Sequence, residues 1–218
     1  MNKIEIKDLT IFDLKGNLKP LDSLTNRELI EVSLRACSNI PRYGGHITPT
    51  LSVIQHISLV YDIIMCETDN DKLGYHAILH EIEEGLGVGD IVHDVKSFLF
   101  QDNSRLKEYK QYLYNRLNLD EKLLISGIIK EADIAVGILE SNALAREQAC
   151  YKFNTSIDRE KINYLINKYG SSISSGIKLM HYNNKKIGFA LQYEGFIADE
   201  NIRSTLAKYT PDESIKIR

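Results

Sequence analysis

At 218 residues, 43% hydrophobic and 26% charged with no Trp, the chain is long enough to bury one large core and has the balance of an ordinary soluble protein. Its net charge of −3 offers no basic face for nucleic acid, although a local pocket for one small phosphorylated ligand stays open. Three widely spaced cysteines (Cys37, Cys66 and Cys150) in apolar surroundings read as reduced core residues of a cytoplasmic protein, not as a disulfide frame or zinc knuckle.

The start, Met1 to Glu5, lacks the apolar run of a signal peptide, and the greasiest segment, Leu51 to Cys66, is too short and too polar to span a bilayer. Residues 3–19 alternate loosely around Lys15-Gly16-Asn17, which predicts a short hairpin or an extended arm. Thr25-Asn26-Arg27-Glu28 has the form of a capping box, so a first helix follows to about Cys37, and Pro41 ends it. Arg42-Tyr43-Gly44-Gly45-His46 is a loop in which paired glycines allow close backbone approach and Arg42 offers a planar fork for phosphate oxygens; a plain interhelical turn fits it as well.

Thr48-Pro49 resembles an N-cap with Pro at the first helical position, opening a helix that is apolar on most sides and carries His56. A lone histidine in such a helix is usually a hydrogen-bonded core residue unless it meets a second donor. Next, His76 to Glu84 crowds two imidazoles and three carboxylates into nine residues with a helical apolar pattern. On a helix, His80 and Glu84 share a face with Glu81 beside them. A divalent cation would compensate such a cluster in apolar surroundings; the bland reading is a solvated acidic helix end with one satisfied core histidine. His76 and His80 also have zinc-protease spacing, but Ala77 stands where that motif needs its general-base Glu, which leaves His76 a core residue or an outer support to a site.

Gly85, Gly87 and Gly89 break the pattern and Asp90 opens a turn, followed by a loop with a brief helix over 91–100 and a Tyr-bearing helix over 104–117. Asp120 caps a long helix expected over 121–149, with Asp133 embedded in its apolar stripe and Glu140 two turns further along the same face. Those acids need partners, either a metal or a salt bridge. Beyond Cys150, a helix over 158–170, a polar linker over 171–176, a hairpin pairing 177–182 with 187–193, and a last helix over 199–209 are expected. There is no internal repeat.

Taken in order, Arg42-Tyr43-Gly44-Gly45-His46, Ser52-Val53-Ile54-Gln55-His56, Leu79-His80-Glu81-Ile82-Glu83-Glu84, Gly89-Asp90, and Lys130-Glu131-Ala132-Asp133 with Glu140 resemble the HD-domain phosphohydrolases. The likeness is strongest to the branch with 5′-deoxynucleotidases and deoxynucleoside triphosphohydrolases, and covers about residues 35–150. It implies an all-α helical bundle of the HD-domain fold, here with a small α+β C-terminal appendage. The implied organisation is an N-terminal arm and first helix (1–33), an HD domain (34–150) and a C-terminal appendage (151–218).

By motif position, the resemblance places one divalent metal ion (Mn, Co, Zn, Mg or Fe) on His56, His80, Glu81 and Asp133. It places catalytic carboxylates on Glu84 and Asp90, and substrate-binding residues on Arg42, Tyr43 and His46. The implied activity is hydrolysis of the phosphate ester of a small-molecule nucleotide, dNMP or dNTP, by a cytoplasmic homo-oligomer without nucleic-acid or membrane partners. Two positions depart from the pattern. Glu81 replaces the signature Asp, and its extra methylene displaces the carboxylate by roughly 1.5 Å, which hard-metal sites feel. Gly85-Leu86-Gly87-Val88 is one residue longer than expected before Gly89-Asp90. The alternative is therefore a catalytically weakened HD module that binds nucleotides as a regulatory or interaction protein.

Overall fold

The computed structural model of the protein describes residues 5–45, 51–91, 104–144, 157–187 and 190–211. A small antiparallel hairpin, β1 (Thr10–Phe12) with β2 (Leu18–Pro20), sits at the N-terminal end as the alternation predicts, with Ile11 opposite Lys19. Among the described residues, the rest of the regular structure is helical: α1 (Asn26–Asn39), α2 (Val53–Thr68), α3 (Asp71–Ile78), α4 (Ser104–Arg116), α5 (Glu121–Ile125), α6 (Ile128–Leu144), α7 (Arg159–Ile187), α8 (Ala190–Ala198) and α9 (Glu200–Tyr209), with short 3₁₀ turns and one π turn besides.

Caps expected at Thr25 and Asp120, and a further one at Asp199, explain several boundaries. The Thr25 hydroxyl accepts the Glu28 N–H at 3.0 Å while the Glu28 carboxylate accepts the Thr25 N–H at 2.9 Å, so α1 begins on a reciprocal box. Asp120 caps α5 through the Lys122 N–H, and Asp199 caps α9 through the Asn201 and Ile202 N–H groups. Helix α2 starts at Val53, where Ser52 and Gln55 form the box; the expected cap at Thr48-Pro49 lies outside the described residues, as does the 92–100 segment.

One apolar core runs from Leu21 to Ile202, drawing Leu29 and Leu34 from α1, Tyr75 and Ile78 from α3, Ala132 and Val136 from α6, and Ile162 and Leu165 from α7. Helix α2 passes through its centre. Ile54, Ile57, Ile63 and Ile64 are each at most 2% exposed, worth roughly 1.5–3 kcal/mol apiece, and they fix the helix that carries His56.

Cys37 is buried as expected but Cys66 is exposed, against the reading of the cysteines as core residues, and Cys150 lies outside the described residues. The structure departs from the sequence reading at three further places. Helix α3 stops at Ile78, and Leu79 to Glu81 form a turn, so His80 and Glu84 are not on one α-helical face. The His80 ring takes the Ala77 carbonyl at 2.6 Å, and that is the carbonyl a continuing helix would offer to the Glu81 N–H. The single helix over 121–149 is instead two, because Ser126 is extended and Gly127 takes φ +78° between α5 and α6; residues 145–149 lie outside the described residues. Among the described residues, the linker and the hairpin expected between 171 and 193 are absent as well, and helix takes the place of the α+β appendage. Helix α7 runs through residues 171–187, with the Ser175 hydroxyl donating to the Ser171 carbonyl one turn back at 2.9 Å, and α8 follows from Ala190. The buried positions Ile162, Leu165, Ile173 and Ile177 keep helical spacing past the serines, and this long stripe outweighs the local alternation. Among the described residues, no helix is long and apolar enough to cross a membrane.

Candidate metal centre

Three elements converge: the first turn of α2, the turn after α3, and the first half of α6. They bring together one ligand atom each from His56, His80, Glu81 and Asp133, all within 4.8 Å of one another. The two histidines are buried, and the two acids are partly so. His56 Nε2 lies 3.3 Å from His80 Nε2 and 3.1 Å from Asp133 Oδ1, while Glu81 Oε1 lies 3.7 Å from His80 Nε2. The ligand set expected from the resemblance is thus assembled, with Glu81 at the position of the shorter acid.

The surroundings settle how the imidazoles face. His80 Nδ1–H donates to the Ala77 carbonyl at 2.6 Å, and His56 Nδ1–H donates to Glu140 Oε1 at 3.0 Å. With both Nδ1 positions occupied, the two Nε2 atoms face each other across 3.3 Å. Two neutral imidazoles held this way oppose lone pair to lone pair, and only a proton or a cation between them relieves it. Two nitrogens and two carboxylate oxygens form a donor set suited to Mn, Fe, Co or Zn, so the residues present fit a divalent ion.

The electrostatics agree with that donor geometry. Burial and the Arg42 charge push the His56 imidazole down, but Glu140 and Asp133 outweigh them and raise it to about 9. Burial pushes His80 below its ordinary value in spite of the nearby Glu81 and Asp133 charges. Burial would raise the Asp133 carboxyl, yet Lys130, with Nζ at 2.5 Å from Oδ2, and His56 hold it well below the usual range. Glu81 is likewise held low against burial, chiefly by His80. The set therefore presents two carboxylates facing two imidazoles, and on His56 a proton sits until something displaces it.

The turn that carries His80 and Glu81 is clamped from two sides. From α1, the Ser33 hydroxyl donates to the Ile82 carbonyl at 2.8 Å, and Gly85 packs so closely that a methyl there would lie 2.2 Å from the Ser33 carbonyl oxygen. From α4, the Tyr109 hydroxyl donates to the Leu86 carbonyl at 2.9 Å, and Lys110 pairs with the buried Glu83. Glu84 is 4% exposed and sits where its charge reaches Cys37 and Lys110; it is not one of the four converging ligands. The extra residue before Gly89 is absorbed in a π turn, Glu84–Val88, closed by the Gly89 N–H on the Glu84 carbonyl at 3.0 Å. Gly87 at φ +109° makes that wide turn possible.

Past the π turn, Asp90 meets the Arg42 loop. Arg42 Nη1 is 3.5 Å from Asp90 Oδ1, and the Gly44 N–H donates to Asp90 Oδ2 at 3.4 Å. The loop itself is tied at its base, where the Arg42 N–H donates to the Leu51 carbonyl and the Val53 N–H to the Ile40 carbonyl. On its inner edge, Arg42 Nε and Nη2 donate to Glu140 Oε2 at 3.3 and 3.2 Å. Tyr43 adopts φ +59° with its ring 5.3 Å from the Arg42 guanidinium, and its hydroxyl lies 3.1 Å from Glu140 Oε2 and from the Gly137 carbonyl. His46 lies outside the described residues.

His76 has a purely structural place. Its Nδ1–H donates to the Lys72 carbonyl at 2.7 Å and its Nε2 accepts the Asp120 N–H at 2.9 Å, which joins α3 to the start of α5. Sequence reasoning placed Glu140 only as an acid awaiting a partner and gave no role to Lys130; both touch the ligand set directly. The spacing of seven from Asp133 to Glu140 carried that signal, because it sets both acids on one helix face. No protein-family model matches the chain, and no curated protein matches it.

Proposed function

We propose that this chain is an HD-type, metal-dependent phosphohydrolase that hydrolyses the phosphate ester of deoxynucleotides, releasing nucleoside with phosphate or tripolyphosphate. The observation that carries the reading is the convergence of His56 Nε2, His80 Nε2, Glu81 and Asp133, with both imidazoles fixed from behind and Arg42 nearby behind Glu140. A divalent ion held by those four residues supplies Lewis acidity to a phosphoryl oxygen and acidifies a water at neutral pH.

The chain's own groups do the rest. Glu84, buried where the π turn begins three residues after Glu81, takes the proton of the attacking water. Arg42 keeps two nitrogens on Glu140 and turns Nη1 outward, where a phosphate oxygen exchanges with Asp90 as its partner. Asp90, once released, protonates the leaving sugar oxygen or binds the 3′-hydroxyl in this reading. Tyr43 pins the loop to α6 and so holds Arg42 in register.

The test is a product analysis. Protein stripped with EDTA and reloaded with Mn²⁺, Co²⁺, Zn²⁺, Mg²⁺ or Fe²⁺ is incubated with dNMPs and dNTPs, and released phosphate, pyrophosphate and tripolyphosphate are separated. Phosphate from dNMP or tripolyphosphate from dNTP is expected. Nucleotide binding without product under every metal would instead favour a regulatory binding module, and absence of both would end the nucleotide reading.

A further inference from the structure

We infer that Glu140 is a positioning residue that couples metal capture to anion capture, by using one carboxylate oxygen on a metal-ligating histidine and the other on the phosphate-binding arginine. The inference rests on the metal-site reading above and assigns a residue that the reading leaves without a task.

Glu140 lies on α6 two turns beyond Asp133 and is completely buried. Its Oε1 accepts His56 Nδ1–H at 3.0 Å; its Oε2 is 3.3 and 3.2 Å from Arg42 Nε and Nη2 and 3.1 Å from the Tyr43 hydroxyl. Acceptance at Oε1 fixes which His56 nitrogen carries the proton and aims the Nε2 lone pair at Asp133 and His80. Acceptance at Oε2 occupies the inner edge of the guanidinium and leaves Nη1 as the end that points away, toward Asp90. A buried acid that only neutralised Arg42 would have no need of His56.

The Glu140→Gln variant separates these cases because it keeps shape and loses one acceptor. If its amide oxygen serves His56, the NH₂ group faces the Arg42 donors; if the oxygen serves Arg42, His56 loses its acceptor. Affinities for Mn²⁺ alone, and for inorganic phosphate on Mn²⁺-saturated protein, are measured by calorimetry on wild type and E140Q. Metal affinity is expected to fall 10–100-fold, and phosphate affinity to fall at least about 5-fold at saturating metal. Long-range ¹H–¹⁵N correlation on the Zn²⁺-loaded wild-type protein reads the same geometry without any variant, so a misfolded E140Q does not end the test. It is expected to show His56 bound through Nε2, with a slowly exchanging proton on Nδ1. Zinc on Nδ1, or a folded E140Q in which either affinity is unchanged, overturns the inference and leaves the metal site standing. A wild-type protein that takes up neither Mn²⁺ nor Zn²⁺ overturns the metal reading and the inference together.

Discussion

Gly85→Ala offers the sharpest test of how the ligand-bearing turn is held. A Cβ at position 85 would lie 2.2 Å from the Ser33 carbonyl oxygen, 2.4 Å from the Ser33 hydroxyl and 2.7 Å from the Ser33 carbonyl carbon. Ordinary contact demands a retreat of more than about 1 Å, and most of what must move is helix backbone. Overpacking of this kind costs about 1–3 kcal/mol. The same retreat stretches the buried bond from Ser33 to the Ile82 carbonyl, now 2.8 Å, which adds roughly another 1–2 kcal/mol. A total near 3 kcal/mol lowers the melting temperature of a chain this long by about 6–12 °C. The assay is thermal and urea unfolding without added metal, with Gly176→Ala on α7 as the opposite control. That position has nothing within 4 Å of an added Cβ, so the helix should gain about 0.5–1 kcal/mol. A Gly85→Ala protein as stable as wild type would refute the claim that α1 clamps this turn.

Other outcomes follow from the site. His56→Ala and Asp133→Ala should each lose bound metal by elemental analysis, whereas Glu84→Ala should retain it and lose turnover; normal metal content in His56→Ala contradicts the ligand assignment. His76→Ala should destabilise the fold by about 2–3 kcal/mol through its two lost backbone bonds, with metal content unchanged. Metal binding should release protons near neutrality, since His56 is raised to about 9 without an ion and must be neutral to ligate. Affinity should therefore rise with pH up to about 9, and calorimetry in buffers of different ionisation heats would show no released proton if this sign is wrong.

What could be read from the chain alone follows from how local each signal is. The box at Thr25 and the cap at Asp120 act within a few residues, and α1 and α5 begin where those signals place them. His56, His80, Glu81 and Asp133 were legible as a set only through their order along the chain; their meeting depends on α2, α3 and α6 packing together. The misreadings have non-local causes. The turn at Leu79 depends on a side chain taking the Ala77 carbonyl and on α1 reaching the Ile82 carbonyl, neither of which a periodic pattern reveals. The serine-rich stretch after Gly170 looked like a linker because exposed serines carry no stripe, yet Ile173 and Ile177 are buried there and keep the helix continuous.

The length of α7 bears on how the protein can be cut. Among the described residues, none on this 29-residue helix contributes to the cluster, yet the helix packs extensively along α6, with Gly170 close against Leu139. Helix α6 bears both Asp133 and Glu140, so its seating against α2 is braced from behind by α7. A truncation placed just after α6 would keep every acid and imidazole of the cluster while stripping the buttress that sets their spacing. Loss of activity in such a fragment would report a loosened scaffold, not a missing reagent.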